Sequence, residues 1–64
     1  MRDKYLIFIG KPLEALQQAA RLDGRIVRVV KKDNTYMVVT RDYNVNRLNV
    51  AIKGNIVSEI LGFS

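Results

Sequence analysis

The stretch that decides the fold is Thr40-Arg41-Asp42-Tyr43-Asn44-Val45-Asn46-Arg47-Leu48-Asn49-Val50-Ala51-Ile52. Residues 40–46 are mostly polar and follow neither the helical nor the strand period, which predicts an exposed loop. From residue 47 onward apolar and other side chains alternate, which predicts a strand. Leu48, Val50 and Ile52 should face the core. Arg47, Asn49 and Ala51 should lie on the opposite face of the strand.

The segments on either side of this stretch predict three further elements. After the strand, Gly54-Asn55 predicts a two-residue hairpin turn of type II′, with glycine at the first positive-φ position, and Ile56 to Leu61 returns as the last strand. Before the loop, Tyr36 to Val39 is expected to continue a hairpin or to lead into the loop. Lys31 to Asn34 predicts a polar turn, and the β-branched run Arg25 to Val30 predicts a strand with at least one buried face.

The first third of the chain predicts a strand and a helix. Lys4 to Ile9 is apolar and partly aromatic, which favours a first strand. Pro12 suits the first turn of a helix, and the apolar residues after it recur at helical spacing, so we expect a helix over 12–22 that ends at Asp23-Gly24. The element order indicates a single α+β domain over residues 1–64, with one helix packed on a small mixed sheet of three to four strands and an exposed binding loop.

The composition excludes most catalytic and metal-binding classes. The 64 residues include no cysteine and no histidine, which removes disulfides, the usual metal ligands and the base that a catalytic serine normally needs. The six acids are scattered, and the four glycines are too widely separated for a phosphate-binding loop. We therefore expect a protein that is not an enzyme, holds no metal and no cofactor, and acts by binding another macromolecule.

Charge and hydropathy narrow the class of partner. Eleven Lys and Arg against six Asp and Glu give a formal net charge of +5, which biases encounter toward acidic partners, whether nucleic acid or protein. The longest apolar run, Tyr5 to Ile9, is far shorter than the roughly 20 residues of a membrane span, and no small-residue cleavage site follows it. We expect no membrane partner, and either a cytoplasmic protein or a trimmed, secreted one.

The segment from Thr40 to Val50 resembles the binding loop and following strand of the potato inhibitor I family, which includes the eglin-type inhibitors and their small bacterial relatives. In those relatives a Thr, a variable residue, Asp-Tyr, three more residues and then Arg-Leu-Asn-Val occur in this order, and the same order stands here. The Gly-Lys-Pro-Leu helix start at Gly10 to Leu13 and the hairpin glycine Gly54 also agree. The resemblance implies a monomeric, reversible, substrate-mimicking serine protease inhibitor.

An inhibitory loop of this kind must be stiff, so that binding costs little conformational entropy and cleaved ends stay together. Arg47 and Asn49 share one strand face about 7 Å apart, at about 3.3 Å per residue, so both can reach back to a loop over that face. Thr40 and Asp42 are the loop residues with matching chemistry.

The resemblance also implies individual roles. Asp42 would accept a hydrogen bond from Arg47, and Asn49 would hold Thr40. The scissile bond would lie between Arg41 and Asp42, which makes Arg41 the primary specificity residue and favours trypsin-like or subtilisin-like targets that accept Arg. The implied site consists of a protease-binding loop and its support: Val39, Thr40, Arg41, Asp42, Tyr43 and Asn44 in the loop, Arg47 and Asn49 beneath it.

Other interpretations stay open. The same fold can serve as an interaction module that binds and modulates a non-protease partner, such as an intracellular or host protein. The densest basic cluster, on the strand from Arg25 to Lys32, is a less favoured nucleic-acid surface, with Tyr36 or Tyr43 beside it to stack on bases. Arg47 and Asn49 also fit the hydrated side of a half-exposed sheet, and Tyr5 to Ile9 an edge strand used for dimerisation.

Overall fold

A computed structural model describes residues 2–40 and 42–64 of the chain. Its elements are a 3-10 helix at Arg2–Phe8, helix α1 at Leu13–Leu22, and strands β1 at Ile26–Lys32, β2 at Thr35–Tyr36, β3 at Arg47–Lys53 and β4 at Ile56–Phe63. The strands form one sheet in the order β2-β1-β3-β4, in which β1 and β3 run parallel and the other neighbours antiparallel. The predicted α+β class, with one main helix on a small mixed sheet, is confirmed.

The hydrophobic core lies between helix α1 and one face of the sheet. Its buried residues come from the 3-10 helix, α1, β3 and β4: Tyr5, Leu16, Ala20, Leu48, Val50, Ile52, Val57 and Ile60. The three apolar residues of β3 that were expected to face the core do so, and none is more than 3% exposed. Each fully buried aliphatic side chain contributes about 1.5–3 kcal/mol relative to an exposed one, so this face fixes the central strand.

Helix α1 agrees with the helix predicted over 12–22. Pro12 is its N-cap residue with φ −59°, and the N–H of Asp23, just beyond the helix, bonds to the Ala20 carbonyl. Gly24 follows with φ +72°, and the Arg25 N–H then reaches back to the Ala20 carbonyl at 2.8 Å. This left-handed closure turns the chain into β1. Over residues 2–40 and 42–64, helices with the length and apolar character of a membrane span are absent.

The strand predicted at Lys4 to Ile9 is wrong, because residues 4–8 belong to the 3-10 helix and Ile9 lies in the turn that follows it. Residues three apart align on one side of a 3-10 helix. Tyr5 is fully buried and Phe8 packs against the core, whereas Ile7 between them is 70% exposed. The segment therefore buries its aromatic rings at a spacing of three, and an apolar run this short does not distinguish that spacing from strand alternation. The edge-strand alternative for dimerisation fails with it.

The two hairpin turns are of one type. Gly54 and Asn55 have φ of +54° and +66°, which is type I′ rather than the predicted type II′. The β1–β2 hairpin turns at Asp33 and Asn34, with φ of +51° and +69°, while Lys31 and Lys32 belong to β1. The polar turn predicted over 31–34 is thus confirmed only in its second half. Of the segment 36–39, only the first residue is in a strand, and the rest leads into the loop.

Candidate functional site: a loop braced by two arginines

Residues 37–46 connect β2 to β3, and we call them the candidate loop. Its residues lack strand and helix geometry over the described positions 37–40 and 42–46, as predicted for residues 40–46. Val38 is fully exposed, Tyr43 is 72% exposed and Val45 is 55% exposed. The described part of the loop therefore exposes three large hydrophobic side chains to solvent.

Arg47 at the start of β3 holds Asp42 as expected. Its Nη1 donates to the Asp42 carboxylate at 3.2 Å, and its Nη2 donates to the Asp42 backbone carbonyl at 2.6 Å. Its Nε donates to the Ser64 backbone oxygen at 3.0 Å. One planar guanidinium thus joins the loop, β3 and the segment after β4, which only a fork of several fixed donors can do.

The expectation that Asn49 holds Thr40 is wrong. Arg28 of β1 performs that contact, because its Nη1 donates to the Thr40 carbonyl at 3.1 Å and to the Thr40 hydroxyl at 3.4 Å. Asn49 instead accepts a hydrogen bond from Arg28 Nε at 2.8 Å and donates to the Ser64 hydroxyl at 2.6 Å. Asn49 therefore orients the guanidinium of Arg28, and the longer side chain of Arg28 reaches the loop.

Sequence reasoning missed Arg28 because its contact depends on strand pairing. Arg28 and Asn49 are register partners on the parallel strands β1 and β3, although 21 residues separate them in the chain. The signal that pointed to it was a lone arginine within the valine-rich strand, on the side opposite to Val27 and Val29, which pack against the core. That signal by itself names no partner.

Arg47 and Asn49 do not lie on a hydrated sheet face. They are 9% and 7% exposed, and Ala51 on the same face is 2% exposed. Over the described residues, no buried side-chain nitrogen or oxygen lacks a hydrogen-bond partner. The polar face of β3 is thus a covered, fully bonded layer, and the interpretation of these residues as wet surface is wrong.

The charge on Asp42 is favoured by its surroundings. Hydrogen bonding to the Thr40 side chain, and then to Arg47, holds the pKa of the Asp42 carboxyl below its ordinary value. The Asp42 side chain is 61% exposed, against 11% for that of Arg47. The ion pair therefore joins the accessible carboxylate of Asp42 to the buried guanidinium of Arg47. That guanidinium also donates to the backbone oxygens of Asp42 and Ser64.

The far end of the candidate loop is fixed to β3 and to Arg25, the residue before β1. Asn44 caps a local turn, since its side chain accepts from the Asn46 N–H at 2.9 Å and its carbonyl accepts from the Arg47 N–H at 3.1 Å. Arg25 Nη1 donates to the Val45 carbonyl at 3.4 Å, and its guanidinium lies 4.5 Å from the centre of the Phe63 ring. Both the middle and the end of the loop are thus attached to the sheet.

The sequence-predicted site residues are brought together only in part. Thr40 and Asp42 lie at the two arginines, Asn44 is half-buried, and the side chains of Val39 and Tyr43 are 38% and 72% exposed. Arg41, the predicted specificity residue, lies outside the described residues.

The predicted basic cluster on residues 25–32 is divided by the fold. Arg25 and Arg28 bond to the candidate loop, and Lys31 lies 5.2 Å from the centre of the Tyr36 ring. Three of its four cations therefore have contacts within the protein, two of them hydrogen bonds to the candidate loop. In the part of the chain that the structure describes, no group of three or more acidic residues has the arrangement of a metal site.

Comparison with family models, with curated proteins and with solved structures found no match.

Proposed function

We propose that this chain is a reversible, substrate-mimicking serine protease inhibitor of the potato inhibitor I type. It would present residues 39–44 to the protease and use Arg41 as its primary specificity residue. One observation carries the proposal: the two residues that flank Arg41 in the chain are each held through a backbone carbonyl by a guanidinium from beneath, Thr40 by Arg28 and Asp42 by Arg47. In this function the chain is not an enzyme and needs no metal or cofactor.

This bracing supports inhibition rather than ordinary cleavage for two reasons. Fixing the backbone of one residue costs about 1–2 kcal/mol, so a loop that is ordered before binding avoids that cost for each residue in the protease cleft. The carbonyls of residues 40 and 42 are anchored at 3.1 and 2.6 Å, on either side of the proposed scissile bond. After cleavage both new ends would stay near each other, which favours resealing over release.

The chemistry of Arg41 selects the class of target. A long cationic side chain fits a pocket with an acid at its base, which favours trypsin-like enzymes and those subtilisin-like enzymes that accept Arg. The exposed apolar side chains of Val38 and Tyr43 lie before and after Arg41 in the chain and would widen the contact.

The test is an inhibition panel with trypsin, subtilisin and chymotrypsin. We expect the wild-type chain to inhibit trypsin or subtilisin, Arg41→Ala to abolish trypsin inhibition and Arg41→Leu to redirect it toward chymotrypsin. Arg21→Ala removes the same charge from an exposed position on helix α1 and should change nothing. No inhibition of any of the three enzymes at micromolar concentration, or an inhibition constant unchanged by Arg41→Ala, would refute the proposal.

The second candidate is an interaction module of the same fold with a non-protease protein partner. The exposed Val38, Tyr43 and Val45, together with the net charge of +5, favour a partner with an acidic and partly apolar surface. A negative protease panel would leave this function in place. Nucleic-acid binding is the weakest candidate, because Arg25 and Arg28 bond to the loop; it predicts affinity that falls steeply with salt.

A further inference from the structure

We infer that Arg28 is a positioning residue that decides whether the candidate loop inhibits a protease or is cut by it, and that Asn49 orients Arg28 for this role. The inference rests on the proposed function. Arg28 does not lie in the loop or in the strand that follows it, and it reaches Thr40 from β1, 12 residues earlier in the chain.

One nitrogen of the Arg28 guanidinium is bonded to Asn49, and another faces two acceptors in Thr40. The Nε–H of Arg28 donates to the Asn49 side-chain oxygen at 2.8 Å, which sets the plane of the guanidinium. Its Nη1 then points to the Thr40 carbonyl at 3.1 Å and hydroxyl at 3.4 Å. A lysine would keep the charge but has no planar fork, so it cannot satisfy Asn49 and Thr40 in the same way.

Asn49 can orient Arg28 because its own amide is fixed. Its nitrogen donates to the Ser64 hydroxyl at 2.6 Å, which leaves its oxygen toward the guanidinium. The reverse orientation would place amide N–H groups against the N–H of Arg28, where neither has an acceptor. A chain of hydrogen bonds thus runs from Ser64 through Asn49 and Arg28 to Thr40.

Arg47 and Arg28 hold opposite sides of the proposed scissile bond. Arg47 holds Asp42, which would become the new amino end after cleavage, while Arg28 holds Thr40 next to the new carboxyl end. Without Arg28, the segment that ends at residue 41 loses its anchor, so hydrolysis should compete better with resealing. The expected signature is a weaker inhibition constant together with faster cleavage of the 41–42 bond.

The experiment compares Arg28→Ala, Arg28→Lys and Asn49→Ala with the control Lys32→Ala, which removes one positive charge from an exposed position on the same strand. In the free protein, the backbone order parameters of Thr40 and Asp42 and the melting temperature are measured. With a protease that the wild-type chain inhibits, the inhibition constant and the cleavage rate of the 41–42 bond are measured.

We expect Arg28→Ala to lower the order of Thr40 more than that of Asp42 and to raise the inhibition constant about 10- to 100-fold, the usual range for a lost charge-assisted hydrogen bond. Arg28→Lys should recover part of this, and Lys32→Ala should match the wild-type chain. Adding Asn49→Ala to Arg28→Ala should have little further effect, because both act through one path. If Arg28→Ala does not fold, Arg28→Lys and Asn49→Ala carry the test.

Unchanged order at Thr40 in the Arg28 variants would overturn the inference, even if the wild-type chain is an inhibitor. Equal loosening in Lys32→Ala would overturn it as well, because the effect would then be general destabilisation. Selective loosening at Thr40 in a chain that inhibits no protease would support the positioning contact and refute the proposed function instead.

Discussion

Replacing Arg47 with methionine is expected to lower the free energy of unfolding by about 3 kcal/mol. Methionine keeps most of the buried aliphatic stem, so the change removes the guanidinium with little loss of packing. The lost contacts are the donors to the backbone oxygens of Asp42 at 2.6 Å and Ser64 at 3.0 Å, and the ion pair with the Asp42 carboxylate.

The magnitude follows from these contacts. A hydrogen bond from a charged group is worth about 1.5–3 kcal/mol, so the two backbone contacts sum to about 3–6 kcal/mol. The ion pair adds little, because the carboxylate is 61% exposed and screened by solvent. The buried guanidinium also carries a desolvation cost that methionine removes, which places the net loss near the lower end of the sum.

Such a loss is large for this chain. Native stability is about 0.05–0.15 kcal/mol per residue, or about 3–10 kcal/mol for a domain of this length. For a small domain, about 4–8 °C of melting temperature is lost per kcal/mol, so we expect Arg47→Met to melt about 12–24 °C lower.

Urea unfolding followed by circular dichroism measures the effect. The midpoint should fall while the slope with denaturant stays the same, because the folded and unfolded surfaces change little. Arg21→Met, on the exposed side of helix α1, is the matched control and should stay within about 0.5 kcal/mol of the wild type. If Arg47→Met is as stable as this control, Arg47 does not brace the loop.

Two further predictions concern the side-chain contacts of Asp42 and of Tyr5. Because the folded-state pKa of Asp42 is lowered, the contacts of its carboxylate with Thr40 and Arg47 are complete above about pH 3.9, the ordinary carboxyl value, and are lost as pH falls through the lowered value. The backbone order of Thr40 and Asp42, measured against pH, should drop in acid in the wild-type chain and show no such transition in Asp42→Asn; a pH-independent wild type would contradict this. Tyr5→Phe removes the 2.6 Å hydrogen bond from the buried phenol to Asp23 and should cost about 1–2 kcal/mol in urea unfolding, whereas Lys4→Ala, on the same carboxylate but 55% exposed, should cost less. Equal stability of Tyr5→Phe and the wild type would show that this bond contributes nothing.

Local patterns in the sequence determined the elements whose causes are local. Helix α1 follows from Pro12, the helical spacing of apolar residues and Gly24, and β3 follows from strict alternation. The loop was also readable, because residues 40–46 match neither period. The turn at Gly54-Asn55 was found, but its type was not, because only the strand twist decides whether the second residue also takes a positive φ.

The tertiary structure decided what depends on partners far along the chain. It made the segment at Tyr5 a 3-10 helix, because two aromatic rings three residues apart had to enter one core. It also placed Arg28 beside Asn49 through the parallel pairing of β1 and β3. Arg28 therefore makes the contact with Thr40 that the sequence assigned to Asn49. Residue types and local periods determine which side chains can form such bonds, whereas the pairing of distant strands determines which of them meet.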